Sequence, residues 1–151
     1  MVRRSSALLC GAVWLLGGCG PGSDVEVRVC GDLNVPAEMD ALRVSFRNEI
    51  FGELRGAVVG LVDEAGVRSL PLSVSLPADR DARWVIAEAL LEGIVVGRFD
   101  RRVTTLEDGS SVGLVLTQVC YRMTCPTGQT CVDSACVTAP GPIDAPNCGG
   151  S

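Results

Sequence analysis

The chain has no histidine and no lysine. Without an imidazole, the serine–histidine and cysteine–histidine nucleophile systems are excluded within it. Zinc-hydrolase motifs such as His-Glu-x-x-His are excluded for the same reason. Without lysine there is no Gly-Lys-Ser/Thr phosphate loop, and Gly52, Gly56 and Gly60 are a glycine series lacking that ending. All basic residues are arginine, which together with abundant Ala and Gly fits a GC-rich coding bias and carries no mechanism. Aromatic residues are scarce, at 4%. No apolar run reaches the roughly 20 residues that a membrane-spanning helix needs.

Acidic residues outnumber basic ones. From Cys19 onward there are 11 Arg against 18 Asp and Glu, a net charge of −7. An acidic chain without an arginine cluster argues against a nucleic-acid partner, because phosphate neutralisation supplies most of that affinity.

What is present begins with a leader. Arg3 and Arg4 precede an apolar stretch from Ala7 to Leu16, of the length of a signal-peptide core. Leu16-Gly17-Gly18-Cys19 closes it and resembles a bacterial lipobox: an aliphatic residue, two small ones, then a cysteine. The small residues let a peptidase approach the backbone, and the Cys19 thiol can carry a diacylglycerol. The expected organisation is a signal peptide over 1–18, a lipidated Cys19 with a short tether over 19–23, and an anchored domain beyond. Gly20, where an Asp would hold the protein in the inner membrane, leans toward the outer membrane. The expected partner is therefore the membrane, reached through the lipid on Cys19.

The leader also sorts the eight cysteines. Cys10 leaves with the signal peptide and Cys19 is lipidated. Cys30, Cys120, Cys125, Cys131, Cys136 and Cys148 remain, an even set in an oxidising compartment, where disulfides are the ordinary reading.

Residues 24–119 read as a β domain. Val25, Val27 and Val29 alternate with Glu26 and Arg28, and Leu42, Val44 and Phe46 alternate with Arg43, Ser45 and Arg47. Leu54–Val62 is a third apolar run, followed by a turn at 63–66 and a strand over 67–76 that Pro71 places at a sheet edge. The stretch 81–92 is helical by propensity, yet Glu92-Gly93 resembles a two-residue hairpin turn and β segments surround it. The strand reading is favoured although it puts Glu88 on one face with Trp84, Ile86 and Leu90. The next strand runs from Ile94 to Leu106 with a bulge near Gly97, and Asp108-Gly109 predicts another hairpin into Val112–Cys120. This makes an all-β chain: an Ig-like or related antiparallel β-sandwich of about seven strands.

From Cys120 the texture changes. The segment 120–137 is turn-rich and nearly free of large apolar residues, so cross-links must hold it. The expected pairs are Cys120–Cys131 and Cys125–Cys136, leaving Cys30–Cys148; Cys30–Cys120 is the competitor. Zinc on four thiolates is the alternative, disfavoured because the tight Cys-x-x-Cys knuckles are missing. A Pro/Gly-rich tail over 138–151 reads as unstructured unless Cys148 pins it. Residues Cys125-Pro126-Thr127-Gly128-Gln129-Thr130-Cys131 through Cys136-Val137, behind a lipobox leader and an alternating β region, resemble a group of uncharacterised lipoproteins of myxobacteria. The resemblance covers the two ends and implies location and organisation; it brings no activity with it.

No catalytic, cofactor or metal site is read from the sequence. The carboxylate pairs Asp63/Glu64, Asp79/Asp81 and Glu107/Asp108 fall at turns, where solvated acids are ordinary. Arg98, Asp100 and Arg102 share a strand face, with Arg101 opposite, and read as a solvated face with local pairs. Trp84 reads as core. The expected function is a lipid-anchored, non-enzymatic binding or structural module. The alternatives are an accessory subunit of an envelope complex and, last, a carboxylate-dependent enzyme.

Overall fold

The computed structural model describes residues 24–49, 52–126 and 128–141. Cys10, Cys19 and Cys148 lie outside them, as do the expected signal peptide over 1–18, the expected tether over 19–23 and most of the tail. Among the described residues the regular structure is β strand apart from one short 3₁₀ turn at Gln118–Cys120.

Seven strands make a two-sheet sandwich. In chain order they begin with β1 (Asp24–Gly31), β2 (Ala41–Asn48) and β3 (Gly52–Gly60). A minor hairpin follows, β4 (Val62–Asp63) with β5 (Gly66–Val67). Then come β6 (Leu72–Pro77), β7 (Trp84–Leu91), β8 (Ile94–Arg102) and β9 (Ser111–Leu116). A C-terminal hairpin, β10 (Gln129–Val132) and β11 (Ala135–Thr138), completes the chain. One sheet has the order β6-β1-β9 and the other β3-β2-β7-β8.

The alternation of the sequence is what builds this. Val25, Val27 and Val29 are fully buried while Glu26 and Arg28 face out. They meet Leu42, Val44 and Phe46 of the facing sheet, all fully buried, with Val85, Ala87 and Ala89 beside them. Small side chains at Ala87, Ala89 and Gly97 leave room for Leu33, whose Cδ1 would lie 3.6 Å from a Cβ at position 97. Met39, Leu61, Val103 and Leu106 close the ends of the core from loops.

The stretch 81–92 is strand from Trp84 onward. β7 is bonded on both sides, to β2 and to β8, and that double ladder outweighs helical propensity. Glu92 and Gly93 turn it with φ of 52° and 79°. The register shift between Ala89 and Leu90 leaves Val96 as the extra residue, beside Gly97 as expected.

Four expectations need correction. β1 and β9 pair in parallel, so the sandwich is not wholly antiparallel. Asp108-Gly109 is a turn but not a hairpin: β8 ends at Arg102 and the chain crosses to the other sheet before β9. The run 67–76 is two short pieces, because Gly66–Val67 folds back on Val62–Asp63 before the edge strand β6 begins. Thr138 to Gly141 is not loose: Thr138 ends β11, Ala139 N–H donates to the Gly128 carbonyl at 3.0 Å, and the Pro140 carbonyl accepts from Arg102 N–H at 3.1 Å.

Candidate functional site

The most polar buried region lies on the outer face of the four-stranded sheet. Register sets it: Arg43 stands opposite Glu88, and Glu88 opposite Arg98, while Ile86 stands opposite Asp100. Arg43 Nε donates to Glu88 Oε2 at 2.5 Å. Arg98 Nη1 lies 3.8 Å from Glu88 Oε1, and Arg98 grips Asp100 with Nε–Oδ1 at 2.6 Å and Nη2–Oδ2 at 2.8 Å. The result is a ladder of alternating charge across three strands, Arg43–Glu88–Arg98–Asp100. Glu88 is 3% exposed and Asp100 1% exposed.

Burial of two carboxylates is tolerable because each is paired and hydrogen-bonded. Both guanidinium groups are held above their ordinary pKa, Arg43 chiefly by its hydrogen bond to Glu88 and Arg98 chiefly by that to Asp100. Both arginines therefore stay cationic at any physiological pH. Arg101 points to the other face of β8, where its Nη1 donates to the Gly113 carbonyl of β9 at 3.0 Å and bridges the two sheets. Burial lowers its pKa.

The cover over this face is the C-terminal segment. Thr130 of β10, 1% exposed, places its Oγ1 3.2 Å from Asp100 N–H. Arg122 N–H donates to the Val96 carbonyl at 2.5 Å, and Arg102 N–H to Pro140. Three outward backbone groups of β8 are thus satisfied by the segment beyond Cys120, which seals a sheet edge that would otherwise invite pairing with another chain. Trp84 belongs to the same cover: it is half-buried on the outer face, and a Cβ at Gly128 would touch its ring at 3.8 Å. It is not a residue of the central core.

Two interleaved disulfides brace the cover, Cys120–Cys131 and Cys125–Cys136. Cys131 and Cys136 are cross-strand neighbours in the β10–β11 hairpin, and each reaches back to the preceding loop. With these four sulfurs bonded to each other, no thiolate set remains there for zinc. Cys120 is committed to Cys131, so Cys30–Cys120 is overturned; Cys30 is itself disulfide-bonded. The assignment of Cys148 falls outside the described residues. The Met123 Sδ lies 3.3 Å from Cys131 Sγ, a soft contact that fills the space beside the first bridge.

Beside the ladder is a cleft of about 230 Å³ bounded by Arg47, Glu49, Trp84, Ile86, Arg98 and Asp100. Arg47 Nε and Ser45 Oγ are buried on this face without a hydrogen-bond partner among the described residues. A wider, more open hollow of about 430 Å³ lies between Arg83, Arg102, Val103, Thr104 and Gly141 at one end of the sandwich. Neither presents a nucleophile with a base. The acids at turns do ordinary turn work: Asp63 accepts from Ala65 N–H and Arg68 Nη2, each at 2.8 Å, and Asp79 Oδ1 from Asp81 N–H at 3.0 Å.

Arg98, Asp100 and Arg102 share one face, as their spacing predicts, but that face is covered rather than solvated at Asp100, which is buried. The signal was Glu88, an acid in phase with Trp84, Ile86 and Leu90; a charge among apolar residues on a central strand demands partners and a cover. Among the described residues no group of three or more His, Cys, Asp or Glu is placed to hold a metal ion, and no helix is long and apolar enough to cross a membrane. Comparison of the chain with protein-family models, with curated proteins and with solved structures finds no match.

Proposed function

We propose that this chain is a lipid-anchored protein of the cell envelope that works as a non-enzymatic binding or structural module. The observation that carries the reading is the cysteine arrangement. Two interleaved disulfides and a bonded Cys30 belong to an oxidising compartment, and the Leu16-Gly17-Gly18-Cys19 leader offers a route there. The resemblance of both chain ends to myxobacterial lipoproteins supports the same organisation. Gly20 after the lipid cysteine favours the outer membrane. The remaining pair in this reading is Cys30–Cys148.

The module side of the proposal rests on how the charged groups are used. The buried acids hold the sheet together, and the turn acids cap their own turns. Replacing Cys19 by Ser tests the anchor. The substitution should move the protein from the membrane to the soluble fraction and abolish fatty-acid labelling. Unchanged fractionation, with labelling absent from the wild type, would remove the lipoprotein reading.

A further inference from the structure

The two ends of the sandwich differ in chemistry. The strand registers place Asp24, Pro77 and Ser111 together at one end, where β1 and β9 start and β6 stops. The opposite end carries the loop after Gly31, the β4–β5 hairpin, the Glu92-Gly93 turn and the 3₁₀ turn after β9. Only residues 20–23 separate Cys19 from Asp24, a reach of at most about 18 Å. On the anchored reading proposed above, Asp24 faces the membrane and the opposite end points away from it.

That distal end is apolar at its tips. Eight large apolar side chains are exposed among the described residues, and five of them sit there: Val62, Val67, Ile94, Val95 and Val119. Ile94, at 67% exposure, is the most exposed of the eight. The surrounding loops are acidic. They hold Asp32, Glu38, Asp40, Asp63, Glu64 and Glu92 against Arg68 and Arg122. Arg68 is already paired with Asp63 at 2.8 Å, and Arg122 lies over the Tyr121 ring at 5.3 Å.

These loops are held in place before any partner arrives. Asp40 joins three of them: its N–H donates to the Leu90 carbonyl, its carbonyl accepts from Leu61 N–H, and its carboxylate accepts from Glu92 N–H at 2.9 Å. Glu38 accepts from Asn34 N–H at 2.8 Å and from Gln118 Nε2 at 2.7 Å. Asp32 Oδ1 accepts from Gln118 N–H at 2.6 Å. Ordering cost on binding is low for a surface fixed in this way.

We infer that the distal end is a docking surface for a partner protein whose contact patch sets arginine or lysine between apolar side chains. The apolar tips stand on either side of Asp40 and Glu92, since Val62 and Val67 follow the edge strand β3 and Ile94 and Val95 begin the opposite edge strand β8; the tips supply apolar contacts and the acids between them select basic neighbours. The same acids repel anionic lipid headgroups and nucleic acid, so a second membrane surface and a polynucleotide are disfavoured occupants.

The test is site-specific photo-crosslinking of the full chain in its native cell, with the photoreactive residue at Ile94 or, for the proximal end, at Arg80. The expected result is one discrete protein adduct from position 94 and none from position 80. The cross-linked peptide should carry Arg or Lys beside apolar residues. Glu92→Arg or Glu64→Arg in the same chain should cut the adduct at least about tenfold with thermal unfolding unchanged. Lipid adducts, an adduct with a second copy of this chain, no adduct, or yield indifferent to both charge reversals would each overturn the docking surface. Repeating the experiment on Cys19→Ser separates the two readings. An adduct that persists while fractionation is unchanged removes the anchor alone, and release from the membrane without any position-94 adduct in the wild type removes the docking surface alone.

Discussion

Arg98 holds Asp100 through two parallel hydrogen bonds, at 2.6 and 2.8 Å, between residues two apart on one strand. The pair stands on the outer face of β8, beneath a hairpin that contributes Thr130. Removing the guanidinium leaves a buried carboxylate without its cation, which typically costs about 3–5 kcal/mol. Arg98→Met should therefore lower the urea midpoint strongly. Arg98→Met with Asp100→Leu should recover part of the loss. Equal stability of Arg98→Met and wild type would show that the ladder carries no weight.

The disulfide cover and the β8 edge should fail together. Each bridge closes a loop of sequence separation 11, and a loop of this size is worth about 3 kcal/mol in the chain-entropy view. Replacing Cys125 and Cys136 by Ser should speed hydrogen exchange at Asp100 and Arg102 N–H, whose acceptors lie in the C-terminal segment. Exchange on β1, bonded to β6 and β9, should change far less. Exchange spectrometry on intact protein and variant reads both regions at once.

Gly31 pairs with Leu116 at the end of the parallel ladder, and a Cβ there would collide with the Leu116 carbonyl oxygen. A backbone oxygen cannot swing aside as a side-chain tip can. Gly31→Ala should cost about 1–3 kcal/mol, the range for overpacking. By contrast Gly60→Ala, where a Cβ meets nothing within 4 Å and φ is not in the left-handed range, should be close to neutral. Thermal unfolding of the two variants side by side checks the contrast.

Acid should loosen the distal loops through Glu38. Its carboxylate is held below the ordinary value of 4.5, first by the Asn34 backbone N–H and then by Gln118. A carboxylate with a folded pKa below its unfolded one contributes stability that is present above the unfolded value and fades as pH falls through the folded one. Glu38→Gln should therefore flatten the acid limb of the stability–pH curve below about pH 4.5, with little change in slope near neutrality. An acid limb identical in both proteins would contradict this role.

Much of the fold was legible because alternation is a local signal. Val25, Val27 and Val29, like Leu42, Val44 and Phe46, declare which face is buried without reference to any other strand. Glu92-Gly93 declared its hairpin through the glycine, although Glu92 takes a positive φ as well. The parallel pairing of β1 with β9 left no such mark, because it joins segments some 85 residues apart and depends on where the chain crosses between sheets. Asp108-Gly109 misled for the same reason: a turn signal says that the chain reverses, not which sheet receives it. The charge ladder was half visible. Glu88 stood out among apolar neighbours, but Arg43 and Asp100 became its network only through register, and Asp100 became buried only through a cover held by distant cysteines.

The intact mass of the mature protein extracted from membranes tests the lipid anchor and the oxidised domain together. The expected species is residues 19–151 with a diacylglycerol in thioether linkage to Cys19. It should weigh six hydrogens less than the reduced chain, because Cys30, Cys120, Cys125, Cys131, Cys136 and Cys148 are all paired. A chain that still begins at Met1, that lacks lipid on Cys19, or that retains free thiols among those six would contradict it.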